Sequence, residues 1–156
     1  MKVIKNVFLT VFVIMIGLFV TTGCVKEKKE KEINLEEAVA KLYENVPKEE
    51  RAMVYKIDDN NYNDFLKTSK VYYEEAYGTS PINSNSAHEV VLIKLKYGVN
   101  VGKTIESIKR NINLNKWDKP FPEEDVVIKS KDDLVILIIV ENEEVRATIV
   151  EAFNNL

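Results

Sequence analysis

The chain has 156 residues, with 22 Lys and Arg against 25 Asp and Glu, and a single cysteine, Cys24. A chain of that length can bury one sizeable core. Its mild net negative charge argues against nucleic acid as a partner, and one cysteine excludes an intrachain disulfide or a cysteine metal site.

The chain opens on a positive segment, Lys2 and Lys5, followed by an uncharged stretch from Asn6 to Val25. A positive start, an apolar middle and small residues before a cleavage point describe an export signal. Thr21-Thr22-Gly23-Cys24 resembles the lipobox of bacterial lipoproteins, with Thr21 where leucine is usual. The resemblance implies cleavage before Cys24 and a diacylglyceryl group on its thiol. It therefore implies a lipid anchor on the outer face of the cytoplasmic membrane. The alternative is an uncleaved transmembrane anchor, for which the stretch is long enough, since a span needs about 20 residues. Both place the body outside, because Lys2 and Lys5 stay inside. Loss of residues 1–23 removes those two lysines and no acid, taking the net charge from −3 to −5. An acidic body is not drawn to anionic lipid, so the acyl chains must do the anchoring.

Residues 25–32, Val25 followed by a run of Lys and Glu, read as a solvated linker behind Cys24. Extended at about 3.3–3.6 Å per residue, it reaches roughly 25 Å. Residues 33–156 read as one domain.

Asn34, with Glu37 three residues on, resembles a capping box and predicts a helix over 34–46. Leu35, Val39, Leu42 and Val46 form its apolar side, and Pro47 stops it. Residues 48–57 carry two signals: a helical turn at 48–51, and a strand-like alternation at Met53, Tyr55 and Ile57. A short helix is expected over 59–68, with Tyr62, Phe65 and Leu66 as its apolar side. Strand formers run from Val71 to Tyr77, and Gly78 to Ala87 reads as a turn. Glu89 to Tyr97 is the strongest strand, with Val91, Ile93, Leu95 and Tyr97 to one side and Val90 and Leu92 to the other. Asn100 caps a helix over 101–114 that buries Val101, Ile105, Ile108 and Ile112. Pro120 and Pro122 mark a loop that holds Trp117 and Phe121. Val126–Lys129 and Leu134–Val140 form a hairpin, and a last helix from Asn142 buries Val145, Ile149 and Phe153. The order from residue 71 is ββαββα. It predicts an α+β fold: an antiparallel sheet with helices packed on one face, preceded by an N-terminal helix.

Ala87-His88-Glu89-Val90-Val91-Leu92-Ile93-Lys94, then Ile105 to Arg110 on a helix, then Phe121-Pro122, an apolar strand and a final helix resemble a family. It is an uncharacterised domain of lipoproteins from low-GC Gram-positive bacteria. Glu89 stands where that family has an acid opening the central strand, and Arg110 where it has an arginine late in the next helix. Phe121 stands where tyrosine is more usual. The resemblance covers roughly residues 35–156 and implies no activity, since none is established for the family.

Glu89 and Arg110 are the pair singled out for binding: a carboxylate at a strand start and a guanidinium near a helix end could hold a charged group. Alternatively they pin helix to sheet, and Glu89→Gln then lowers thermal stability. Asp58 to Asp64 is rich in oxygen ligands, but the calcium-loop spacing fails. Counted from Asp59, the glycine position is Asp64 and the glutamate position is Lys70. His88 is the only histidine, and Ser84 and Ser86 lack a nucleophile elbow. The acids at Glu123-Glu124-Asp125 and at Glu141, Glu143 and Glu144 read as solvated surface and helix N-terminal charge. No catalytic set, metal site or cofactor is expected. The reading is a binding or scaffolding module of the cell envelope, with an envelope protein, wall polymer or small solute as partner. The alternative is a small envelope hydrolase using acidic residues.

Overall fold

The computed structural model describes residues 33–67, 69–82 and 86–156. The export signal, Cys24 and the linker lie outside the described residues, as does Ser84. Among the described residues no helix is long and apolar enough to cross a membrane.

The elements run α1 (Leu35–Leu42), a 3-10 turn (Lys48–Glu50), β1 (Ala52–Lys56), α2 (Tyr62–Phe65), β2 (Tyr73–Pro81), β3 (His88–Leu95), α3 (Val101–Asn111), a second 3-10 turn (Glu123–Asp125), β4 (Val127–Lys131), β5 (Leu134–Val140) and α4 (Glu143–Asn154). The order ββαββα is as the sequence predicts. Among the described residues the three longer helices each start at an asparagine whose side-chain oxygen takes an N–H that the first turn leaves unpaired. Asn34 Oδ1 accepts from Glu37 N at 3.1 Å, and Asn100 Oδ1 from Lys103 N at 2.9 Å. Asn142 Oδ1 accepts from Glu144 N at 3.0 Å and Val145 N at 3.2 Å. Residues 48–56 satisfy both of their signals in turn, a 3-10 turn and then a strand.

Five antiparallel strands lie in the order β1-β2-β3-β5-β4. The position of β5 inside the sheet follows from its sequence. All seven of its residues are apolar and buried, which suits a strand covered on both faces. Leu134, Ile136, Ile138 and Val140 enter one core layer, and Val135, Leu137 and Ile139 the other. Burying such side chains is worth roughly 1.5–3 kcal/mol each, so neither face of the sheet can stay wet. On the first face α1 and α4 pack together through Leu35, Val39, Leu42, Val145, Ile149 and Phe153. The sequence predicts every helix on one such face, but α3 packs on the other, because Ile108 and its neighbours Val101 and Ile105 join the second core layer. The second face is covered as well, by Leu66 after α2, by Ile108 of α3, and by Phe121 from the loop that follows.

Several boundaries differ from expectation: α1 and α3 end earlier, at Leu42 and Asn111, α2 is only Tyr62–Phe65, and β2 begins at Tyr73. Tyr97 lies past the end of β3 and is fully exposed, because the chain turns at Gly98 with φ +80. β2 runs on to Pro81, so residues 78–81 are strand rather than turn.

The extension of β2 shapes the molecule. β2 pairs with β1 as far as Ala52↔Pro81, but its pairing with β3 ends at Gly78↔Val91. β3 meanwhile continues beside β5 to His88↔Val140. The sheet therefore forks between residues 79–81 and 88–90. Thr79 fills the gap with its side chain: its Oγ1 accepts from Val90 N at 2.9 Å, in place of a ladder bond.

Candidate functional site

The first face of the fork is plugged. Tyr43, just past the end of α1, places its hydroxyl 3.1 Å from Thr79 Oγ1 and 2.9 Å from His88 Nε2. Its ring stacks on the His88 imidazole, with centroids 5.7 Å apart. All three residues are buried. Burial pushes the Tyr43 hydroxyl well above the ordinary tyrosine range and pulls the His88 imidazole below its own, with Glu50 opposing the second shift. Neutral His88 shares a hydrogen bond with the Tyr43 hydroxyl, as donor or acceptor according to its tautomer.

The second face of the fork is open. A cleft of about 670 Å³ lies there, between β1, the end of β2, the start of β3, α2 and the loop after α3. Glu89 forms its deep end. It follows the alternation of Val91, Ile93 and Leu95 on β3 and so points to the second face. Its residue is only 5% exposed. Its carboxylate has one partner among the described residues: Lys116 Nζ, which bonds Oε2. Lys116 Nζ also donates to the Asp64 carbonyl at 2.9 Å. The ammonium lies 5.2 Å from the Trp117 ring centroid and 6.0 Å from that of Phe65. Burial raises the Glu89 carboxyl to about 7. Lys116 opposes the rise and the nearby Asp64 charge adds to it.

Three aromatic rings line the cleft, Tyr55, Phe65 and Trp117. Tyr55 meets Phe65 at 6.4 Å between centroids, and behind the cleft the Trp117 ring meets the buried Phe121 at 6.2 Å. Phe65 can sit close over the sheet because residue 78 is glycine. A Cβ there would stand 2.9 Å from Phe65 Cγ and closer still to two other ring carbons. Asn63, Ser80 and Asn113 add polar groups to the lining.

Of the residues the sequence singled out, Glu89 is in the cleft and Arg110 is not. Arg110 does not pair with Glu89. It is exposed, and its Nε donates to the Glu106 carbonyl of its own helix at 3.3 Å. The reason is helical geometry. At about 100° per residue, a position two away from both Ile108 and Ile112 faces the opposite side from that stripe. His88 belongs to the plug, and Ser86 is exposed. The Asp58–Asp64 segment is tied up as a turn. Asp58 Oδ1 accepts from Asn60 N at 2.8 Å, and Asn61 Oδ1 accepts from Asp58 N at 2.9 Å. Lys116, Trp117, Phe65 and Asp64 are the site residues that sequence reasoning missed. The available signal was Trp117 itself, a lone tryptophan in a polar loop, which needs a surface to pack on.

No protein-family model matches the chain, and neither a curated protein nor a solved structure is detectably similar to it.

Proposed function

We propose that the chain is an extracytoplasmic lipoprotein tethered through Cys24, and that its α+β domain is a binding module whose site is the cleft at the fork of the sheet. The cleft is the observation that carries the second part. It combines aromatic walls, amide groups without a partner among the described residues and a half-buried ion pair in a space of about 670 Å³, within the range of about 300–1,000 Å³ typical of small-molecule sites. The first part rests on the N-terminal sequence.

A hydrolase worked by acidic residues is the competing reading, and one observation favours it. Glu89, raised to about 7, shares its cleft with Asp64. Against it, Lys116 stabilises the ionised form of Glu89 and so opposes a proton-donor role. Binding is the preferred reading.

Two measurements test the proposal. Mass spectrometry of the mature N-terminus is expected to show a cleaved, acylated Cys24. An unmodified Cys24 in an uncleaved chain would make the protein a transmembrane-anchored one instead. For the cleft, a photo-crosslinking residue is placed at Asn63, on the rim, and in a second protein at Tyr97, exposed at the far end of β3. In intact cells position 63 is expected to give a reproducible adduct that position 97 does not. Equal labelling from both positions, or none from either, would count against the cleft as a binding site.

A further inference from the structure

Charged ligands of either sign meet a like charge in this cleft. An anion approaches Glu89 and Asp64, and a cation approaches Lys116, all of which line it. Glu89 and Lys116 already neutralise each other through a direct bond. A neutral ligand avoids both penalties.

The polar groups that remain are a mixture of donors and acceptors. Glu89 keeps one carboxylate oxygen without a partner among the described residues, since its only bond runs from Oε2 to Lys116. Lys116 has three N–H donors and spends two of them, on Glu89 and on the Asp64 carbonyl. Asn113 Oδ1 accepts from Asn115 N at 3.2 Å, which leaves its amide N–H groups for a ligand. Asn63 offers both halves of its amide. Hydroxyl groups both donate and accept, so a molecule carrying several can use every one of these. Tyr55, Phe65 and Trp117 meanwhile offer flat apolar surface, which suits the C–H faces of a saturated ring.

We infer that the cleft takes a neutral, polyhydroxylated ring compound: a saccharide of more than one unit, its ring faces on the aromatic side chains and its hydroxyls on Glu89, Lys116 and the asparagine amides. The inference rests on the reading of the cleft as a binding site. Its size fits more than one ring, since pockets of this order hold drug-sized molecules. Glu89 fixes orientation at the deep end, and Tyr55, 39% exposed on β1, supplies a platform at the rim.

Trp117 is the only tryptophan in the chain, so its fluorescence reports on this cleft. The full chain in detergent is titrated with chitotetraose, cellotetraose and maltotetraose, and with putrescine and succinate as charged probes. Fluorescence and calorimetry are read together. At least one tetrasaccharide is expected to bind saturably, and Tyr55→Ala and Asn63→Ala are each expected to weaken it about tenfold while the protein melts as before. Absence of binding by all three tetrasaccharides overturns the inference, and so does binding that both substitutions leave unchanged. Binding of putrescine or succinate alone overturns the ligand class but keeps the cleft as a site. Crosslinking from position 63 reads occupancy of the cleft whatever the class of its ligand, so an adduct there without tetrasaccharide binding overturns the ligand class and keeps the site.

Discussion

At pH 8 the Glu89→Gln variant is expected to be more stable than the wild-type protein, and at pH 5 the two should differ little. The sign follows from the direction of the shift. Glu89 is raised from 4.5 to about 7, so between those values the folded protein holds a proton that the unfolded chain has released. A folded-state value above the unfolded one means stability that is fully present below about 4.5 and is lost as pH rises through about 7. At about 1.36 kcal/mol per unit, the ionised carboxyl costs on the order of 3 kcal/mol above pH 7. Glutamine has nearly the same shape, keeps an acceptor for Lys116 and never ionises. Chemical denaturation at several pH values checks this: the gap between variant and wild type should open from pH 5 to pH 8. A variant less stable than wild type at pH 8 would mean that the bond to Lys116 outweighs burial, the outcome expected if Glu89 served chiefly to pin one element to another. His88 works in the opposite direction. Its lowered value gives stability that is present above about 6.5 and lost as pH falls. Both proteins share that term, so their difference isolates Glu89.

The second large effect concerns the cleft floor. Gly78→Ala is expected to cost about 1–3 kcal/mol, the range typical of an overpacked site. The added methyl would clash with the Phe65 ring at Cγ as well as at its outer carbons, so a small adjustment of the ring tip does not relieve it. Phe65 has to leave its place between Tyr55 and Lys116, and the cleft loses its floor. Phe65→Ala should also destabilise. Combining the two should restore much of the Gly78→Ala loss, since the clash then has no partner. A double-mutant cycle measured by denaturation reads this as a coupling of roughly 1 kcal/mol or more. Simple additivity would show that the methyl is accommodated by the strand instead.

Both effects lie at the fork, and the fork is what the sequence conceals. Helix starts are legible because they are local. Asn34, Asn100 and Asn142 each act within three residues of themselves, and each caps as expected. β5 is legible because seven apolar residues in a row admit one placement, inside a sheet. The side of β3 that carries Glu89 is legible too, from its alternation with Val91, Ile93 and Leu95. The end of β2 is not. Gly78, Pro81 and the polar residues after them look like a turn, yet β1 pairs with residues 77–81. Pairing partners so far apart leave no local mark on composition. Lys116 is hidden for the same reason: it reaches Glu89 across 27 positions of sequence, through a loop whose course no periodicity encodes. Arg110 is a different case. The stripe of Ile105, Ile108 and Ile112 already turns it away from the sheet, so the helix pattern itself argues against the pair with Glu89.

β5 also bears on how the chain reaches this structure. Until β3 and β4 flank it, Leu-Val-Ile-Leu-Ile-Ile-Val is a seven-residue segment of high strand propensity without charge or proline, the kind that aggregates between chains. Asp132 and Asp133 precede it directly, and Glu141 follows it. Charges in such flanking positions act as gatekeepers against intermolecular stacking. Asp132 and Asp133 also make the turn between β4 and β5, with Asp132 at φ 53, so their charges serve the partly folded chain as well as the finished one: they keep the segment that anchors the core from joining the same segment of another molecule.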